Sequence, residues 1–297
     1  MKGWRDMAEV QLITDSASDL SDELYQAHHV AVTPFYVTFD KQVYYKERID
    51  ISISEFFKRL RTENVFPSTS LPTAMDYEEI FRSYLQQERD IVCLCITAKF
   101  SGSYQNAVAA ANQLRLEYPG RDIYVIDSLQ ASGGQGVTLL QMIKMKQAGY
   151  SAAQITQRVE ELKPTSRVFL TVDSLKYLQK GGRIGKVSAL AGTLLQIKPI
   201  IVQKDGELNP VAKVRGRQKA LDRIVEMARA YVGDRADAFA YILLHADCRE
   251  EALPVGAKMK SMGINLELPI QDLGVTVGSH TGPTLIGIAL IQKYDAL

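Results

Sequence analysis

Short apolar runs alternate along this chain with longer segments of helical periodicity, and this alternation limits the folds that the chain can adopt. Runs of strand character, most ending in small polar residues, cover residues 10–14, 91–97, 123–126, 168–172 and 239–244. Strands that alternate with helices in this way are typical of α/β units. The sequence therefore predicts an α/β fold.

Four helices are predicted between these strands. Three of them begin at capping-box patterns, Ser52-x-x-Glu55, Thr73-x-x-Asp76 and Ser151-x-x-Gln154, in which the first hydroxyl accepts from the backbone N–H three residues later. The fourth follows Ser101-Gly102-Ser103 and has an alanine-rich face. The predicted ranges are 53–63, 74–87, 103–117 and 152–163.

A domain boundary is predicted near residue 164. The length of 297 residues suggests two domains or one large one. A helix is expected to stop at Lys163-Pro164 before a new strand begins. We predict an N-terminal α/β domain over residues 9–163 and a C-terminal α/β domain over residues 164–297.

Charge and cysteine content exclude several classes of protein. The chain has 35 basic and 34 acidic residues, so the field needed to hold a nucleic acid or an anionic membrane is missing. No stretch reaches the roughly 18 apolar residues of a membrane span. Three cysteines without a CxxC spacing give neither a disulfide framework nor a structural zinc site, and we interpret Cys93 and Cys95 as small apolar residues of a buried strand. These features predict a cytoplasmic protein without stable membrane insertion.

The chain matches several enzyme motifs only in part. Residues 180–187 resemble a phosphate-binding loop but lack its first glycine and its final Ser or Thr. Gly134-Gln135-Gly136 lacks the third glycine of a dinucleotide fingerprint. The four histidines form no metal-binding spacing, and no GxSxG motif occurs. The sequence predicts no cofactor and no metal.

Clusters of hydroxyl, glycine, histidine and basic residues suit a small anion. Thr69 lies in a hydroxyl-rich turn, and Ser101 precedes a helix start whose free N–H groups, at Gly102 and Ser103, suit a carboxylate or phosphate. His280 is flanked by glycines. Each cluster has an ordinary explanation as a turn, a cap or a solvated loop.

Two basic runs complete this set. Arg183 belongs to the run 177–185, and Arg215 belongs to the run 213–220. Next to an anion site, such runs suit a phosphoryl group or an acidic partner.

Taken together and in this order, the motifs resemble those of the DegV family of bacterial fatty-acid-binding proteins, over roughly residues 9–295. The matching segments are residues 14–20, 69–73, 101–105, 126–128, 180–184, 197–200 and 280–283. The resemblance implies two α/β domains, the N-terminal one with a mainly parallel sheet flanked by helices. It also implies a lipid pocket whose head-group site lies at the domain junction.

The resemblance further implies a function. The protein would carry one long-chain fatty acid as its ligand and present it to the separate ATP-binding subunit of a fatty-acid kinase, a step of phospholipid metabolism, without turnover of its own. The carboxylate would bind to Thr69, Ser101 and His280. The arginines Arg183 and Arg215 would meet the phosphoryl group or the partner.

The chain departs from the family pattern at a few positions. The family usually has Thr where Ser103 stands, commonly Gln where Leu71 stands, and often Gly where Thr284 stands. These changes leave the head-group residues intact and bear on the pocket wall.

Two other functions compete with this one. Asp15, Asp127 and Asp173 each follow a predicted strand, and carboxylates that converge at a sheet edge would suit a self-sufficient phosphotransferase or hydrolase. A lipid-sensing transcriptional or signalling module would share the pocket, but the chain has no recognisable DNA-reading helix with a basic face.

Overall fold

The computed structural model describes residues 9–63, 65–190 and 196–296. The strands are β1 (Val10–Asp15), β2 (Ala31–Thr33), β3 (Tyr36–Thr38), β4 (Tyr45–Lys46), β5 (Ser68–Ser70), β6 (Asp90–Cys95), β7 (Ile123–Asp127), β8 (Arg167–Thr171), β9 (Ile197–Lys204), β10 (Glu207–Arg215), β11 (Phe239–His245), β12 (Gln271–Asp272) and β13 (Ile286–Gln292). The helices are α1 (Asp22–Ala27), α2 (Ile53–Glu63), α3 (Ala74–Leu85), α4 (Ser103–Glu117), α5 (Gly133–Gln147), α6 (Ala152–Leu162), α7 (Lys176–Lys180), α8 (Arg217–Val232), α9 (Arg249–Ser261) and α10 (Val275–Thr281).

The five predicted strands and four predicted helices are all present, and their ends differ from the predictions by two residues at most. The reciprocal capping boxes form at Thr73 with Asp76 and at Ser151 with Gln154. At the start of α2, the Ser52 hydroxyl accepts from the backbone N–H three residues later, at 3.1 Å. Local hydrogen-bonding chemistry therefore fixes these helix starts, as the sequence indicates.

The strands form three sheets. The first has the order β2-β1-β6-β7 with every pairing parallel. The second has the order β10-β9-β8-β13-β11-β12 and is antiparallel except for the short β11–β12 pairing. A small antiparallel sheet has the order β4-β3-β5. The prediction of an α/β fold with a mainly parallel N-terminal sheet is confirmed, whereas the second sheet has a different, mainly antiparallel pairing.

Helix α5 lies between the two larger sheets. It contacts β1 and β6 of the first sheet and β8, β11 and β13 of the second, and most of its residues are buried on every side. Its glycines allow this approach, since a methyl at Gly133 would overlap Leu244 and one at Gly136 would overlap the Ser18 carbonyl oxygen. The Gly134-Gln135-Gly136 segment is thus a packing element inside the core.

The remaining helices cover the outer faces of the sheets. The outward side chains of β1 and β6, Cys93 and Cys95 among them, pack with α3 and α4. The outward side chains of the second sheet pack with α8 and α9. The two cysteines are fully buried in β6, as predicted.

The strands of the first sheet precede residue 164 and those of the second follow it. The boundary at that residue stays a prediction. Elements on its two sides pack together, because α10 contacts α2, β3 and β5, and α5 contacts β8, β11 and β13. None of the helices in the described ranges combines the length and apolar character that a membrane crossing needs.

Candidate functional site

A cavity with a mainly apolar wall lies where the first sheet meets the second. One side is the inward face of the second sheet, with Val168, Leu170 and Leu244. The other side comes from segments that follow strands of the first sheet, with Phe35 after β2 and Ile96 after β6. Ligands of α/β proteins commonly bind beyond the carboxyl ends of parallel strands. The position and the apolar wall suit the chain of a small amphiphile.

The cavity has about 860 Å³ of space between its wall atoms, its opening included. The polar residues of the wall are Thr69, Ser101, Ser132, Arg183, Gln203, Thr276, His280 and Thr281. Small-molecule sites typically combine an apolar wall with a few polar groups that fix orientation.

Thr69 and His280 form the polar centre of this wall. The Thr69 Oγ1 atom lies 2.9 Å from the Nε2 atom of His280. Strand β5 carries the threonine, which is held opposite Val37 of β3, and α10 carries the histidine. When Nε2–H donates to Oγ1, the hydroxyl hydrogen of Thr69 remains available to an anion.

Glu47 fixes the helix that carries His280. Its side chain is buried, and the backbone N–H groups of Val275 and Thr276 both donate to its Oε1 atom. The Thr276 hydroxyl donates to Oε2 at 2.6 Å. A carboxylate at this end of a helix satisfies otherwise unpaired N–H groups. Glu47 is therefore a positioning residue for the imidazole.

The imidazole of His280 is neutral near pH 7. Burial lowers its pKa to about 4, and the guanidinium of Arg183 contributes to this shift. Gly181 packs directly on the ring, since a methyl at this position would overlap the Nδ1 atom. A neutral imidazole carries one N–H, and with Nδ1 buried against Gly181 it is Nε2 that can donate, either to Thr69 or to a ligand oxygen.

Ser101 lies in the same wall, at the start of α4. Its Oγ atom accepts from the backbone N–H of Ser103 at 3.2 Å, which leaves the hydroxyl hydrogen available to a ligand. Gly102 and Ser103 do not line the cavity. The Ser103 hydroxyl donates to the buried carboxylate of Asp15 at 3.0 Å. The structure thus brings Thr69, Ser101 and His280 to one cavity and leaves the predicted backbone groups beside it.

The two predicted arginines occupy different places. Arg183 lines the cavity and donates from Nε to the Phe100 carbonyl oxygen at 3.1 Å and from its guanidinium to the Gly181 carbonyl oxygen at 2.7 Å. It therefore connects the segment of Phe100 and Ser101 with the turn of Gly181, which packs on His280. Arg215 is the last residue of β10, is exposed and lies outside the wall.

Asp15, the first of the three aspartates, holds the fold together. It is fully buried and accepts from the Ile96 N–H at 2.9 Å and from Gln135 Nε2 at 2.9 Å, in addition to Ser103. Burial raises its pKa to about 6, against the effect of these hydrogen bonds. The carboxyl ties the ends of β1 and β6 to α4 and α5, which places the Ser101 segment.

The other two aspartates are engaged elsewhere. Asp127 accepts from the N–H groups of Ala98 and Leu129, and Asp173 pairs with Lys198 at 2.7 Å. Within the described ranges, no three His, Cys, Asp or Glu side chains are grouped so that they could hold a metal ion. The phosphotransferase or hydrolase alternative therefore lacks the convergent carboxylates on which it depends.

Sequence reasoning missed part of this site. Glu47 and Gly181 position the imidazole, and Gln203 adds a buried amide to the wall. Gly181 belongs to the run 177–185, in which only Arg183 was predicted to contribute to the site. Alternation along β9, with Ile201 and Gln203 on one face, is the signal that could have placed the glutamine in the wall.

The chain is similar to known proteins along nearly its whole length. A family model described as an uncharacterised protein of the DegV family matches residues 9–293. A DegV domain-containing protein of Caldanaerobacter subterraneus is 31% identical over 287 residues, which cover 97% of this chain and 100% of the relative.

Two solved structures are similar along nearly the whole chain. A stearic-acid-binding protein from Eubacterium ventriosum has a TM-score of 0.92 and 34% identity, with 98% of this chain and 100% of that chain covered. A DegV family protein from Thermus thermophilus, described by its fatty-acid binding, has a TM-score of 0.87 and 31% identity, with 96% and 99% covered.

Proposed function

The chain belongs to the DegV family, and on this basis we propose that it binds one long-chain fatty acid and presents the carboxylate to a separate ATP-dependent kinase subunit. The acyl chain lies in the apolar cavity. The carboxylate binds among Thr69, Ser101 and His280. The protein itself performs no chemical step.

One observation carries this proposal. The hydroxyl of Thr69 and the imidazole of His280 meet at 2.9 Å in the wall of an otherwise mainly apolar cavity. A carboxylate removed from water must receive hydrogen bonds, whereas an acyl chain needs only apolar contact. The fatty acids named for the similar Eubacterium and Thermus proteins support the same ligand class.

The geometry also suits presentation to a partner. Neutral donors hold a carboxylate without transferring a proton to it, so an oxygen stays nucleophilic. In the transfer, that oxygen attacks the γ-phosphorus of ATP on the partner, a new P–O bond forms, the bond from the γ-phosphorus to the bridging oxygen breaks, and ADP leaves. The products are an acyl phosphate and ADP.

The two arginines serve this encounter. Arg183 lines the cavity and is also exposed, so its guanidinium fork can meet phosphoryl oxygens. Arg215 is exposed on β10 and suits an acidic surface of the partner. The reaction requires ATP, so the proposal places the protein in the cytoplasm, where buried Cys93 and Cys95 stay reduced.

Reconstitution tests the proposal. The purified chain is mixed with an ATP-binding fatty-acid kinase subunit, ATP and radiolabelled palmitate, and acyl phosphate is trapped with hydroxylamine. We expect product only when both proteins are present, and a loss of product with Thr69→Val. Turnover by the purified chain with ATP alone would contradict the proposal and favour a self-sufficient enzyme.

A further inference from the structure

Gln203 is a polar side chain in the apolar part of the cavity wall. It lies on β9 opposite Val168 of β8 and Leu208 of β10. Directly opposed residues of neighbouring strands share a face of the sheet, and all three line the cavity. The glutamine is only 3% exposed. An amide therefore interrupts an aliphatic row that faces the ligand space.

The Nε2 atom of Gln203 has no hydrogen-bond partner among the described residues. Two other buried wall atoms share this property, the Nδ1 atom of His280 and the Oγ atom of Ser132. The first belongs to the head-group site, and the second faces the buried carboxyl of Asp19. Burying an unpaired amide donor is unfavourable, so the amide of Gln203 calls for a partner within the cavity.

The apolar neighbours of Gln203 distinguish it from the head-group residues. Val168 and Leu208 flank it across the sheet, whereas the head-group residues belong to β5, to the segment before α4 and to α10. A ligand group that pairs with the amide therefore lies beside the aliphatic wall, as part of the acyl chain.

We propose that the cavity selects fatty acids that carry a hydroxyl group along the chain, and that the side-chain amide of Gln203 recognises this hydroxyl. The inference rests on the proposed fatty-acid binding and names its substrate class. A hydroxyl both donates and accepts, so it pairs with the N–H or the carbonyl oxygen of the amide. A saturated chain leaves the amide unpaired.

Competition binding against radiolabelled stearate tests the inference. The competitors are stearate, oleate and a set of monohydroxystearates with the hydroxyl at successive carbons. We expect at least one hydroxy isomer to bind about tenfold more tightly than stearate, which is the effect of one well-placed hydrogen bond. Equal binding of all isomers and stearate, or a preference for oleate over every isomer, would overturn the inference.

Variants assign the preference to the amide. Gln203→Leu removes the amide and should abolish the preference for the hydroxy isomer. Gln203→Met serves the same purpose if the leucine variant does not fold. The control Gln157→Leu makes the same change at an exposed position of α6 outside the wall and should keep the preference. A preference that persists in the folded Gln203 variant would contradict the role of the amide.

The same assay separates the two proposals. If neither stearate nor any hydroxy isomer binds, then the proposed fatty-acid binding fails and the inference fails with it. If stearate binds but no isomer is preferred, then only the inference fails.

Discussion

The hydroxyl of Thr69 lies 2.9 Å from Nε2 of His280, although 211 positions of sequence separate the two residues. A short strand of the small sheet supplies the threonine, and a helix between the last two strands of the second sheet supplies the histidine. The head-group site therefore forms only when these distant segments fold against each other.

Removing single head-group donors should weaken binding. Thr69→Val, Ser101→Ala and His280→Ala each delete one hydrogen bond to a charged carboxylate, which is worth ~1.5–3 kcal/mol. Affinity for palmitate, measured by equilibrium binding, should fall about tenfold or more in each variant. The control Thr62→Val makes the same change at an exposed position of α2 and should bind normally. Normal affinity in all three site variants would refute the assignment.

A methyl group at Gly181 should also weaken binding. Gly181 has a helical φ of −77°, so alanine is compatible with its backbone, but the new methyl would overlap His280 Nδ1. We expect Gly181→Ala to fold, to displace the imidazole and to lower palmitate affinity about tenfold, the effect of losing one hydrogen bond to the carboxylate. Gly120→Ala is the control, because a methyl there meets open space. Equal affinities of the two variants would show that the contact does not position the histidine.

His280 should make stability depend on pH in the acid range. Its pKa is about 4 in the folded protein and about 6.5 when unfolded, so the unfolded chain binds more protons between these values. Stability is then lost as the pH falls from about 6.5 to about 4, by on the order of 3 kcal/mol. The free energies of unfolding of the natural chain and of His280→Asn are measured with urea at pH 7 and at pH 4. The difference between the two proteins should change by this amount between the two pH values. Asp15 and Asp19 titrate in both proteins, so their contributions to the pH dependence cancel in this difference. A pH-independent difference would mean that the imidazole is not held neutral.

The arginines should separate binding from transfer. Arg215→Ala should keep its affinity for palmitate and lose most acyl-phosphate production with the kinase subunit, since the side chain is exposed and outside the wall. Arg183→Ala should lower production more than affinity. Lys260→Ala, an exposed cation on α9, is the control. Normal turnover in both arginine variants would assign these residues to solvated loops, and loss of palmitate from Arg215→Ala would contradict the division of roles.

Local signals made part of this fold predictable. The capping boxes at Thr73 and Ser151 and the apolar run of β6 act within a few residues of sequence, and the structure reproduces them. Helix α5 was not predicted because it is buried on nearly all sides and so lacks an amphipathic stripe. The order and mainly antiparallel pairing of the second sheet depend on contacts between distant strands, which periodicity does not encode.

The site was predictable only in part. Residue chemistry indicated anion binding near Ser101 and His280, and the family resemblance supplied the grouping with Thr69. Neither signal predicted the role of Glu47, because that role depends on the N–H groups of α10, which lie far along the chain. The place of Gln203 in the cavity wall was not predicted either, because it depends on the apolar neighbours that the sheet pairing brings to this residue.

The central claim is that this chain carries a fatty acid. An acyl chain of about 15 methylenes gains on the order of 12 kcal/mol by burial before ordering costs, enough to survive purification. Native mass spectrometry of the protein purified from a bacterial host, followed by denaturing extraction, measures the bound molecule directly. We predict one long-chain fatty acid per chain; protein without any acyl species that also fails to take up added palmitate or oleate would contradict the claim.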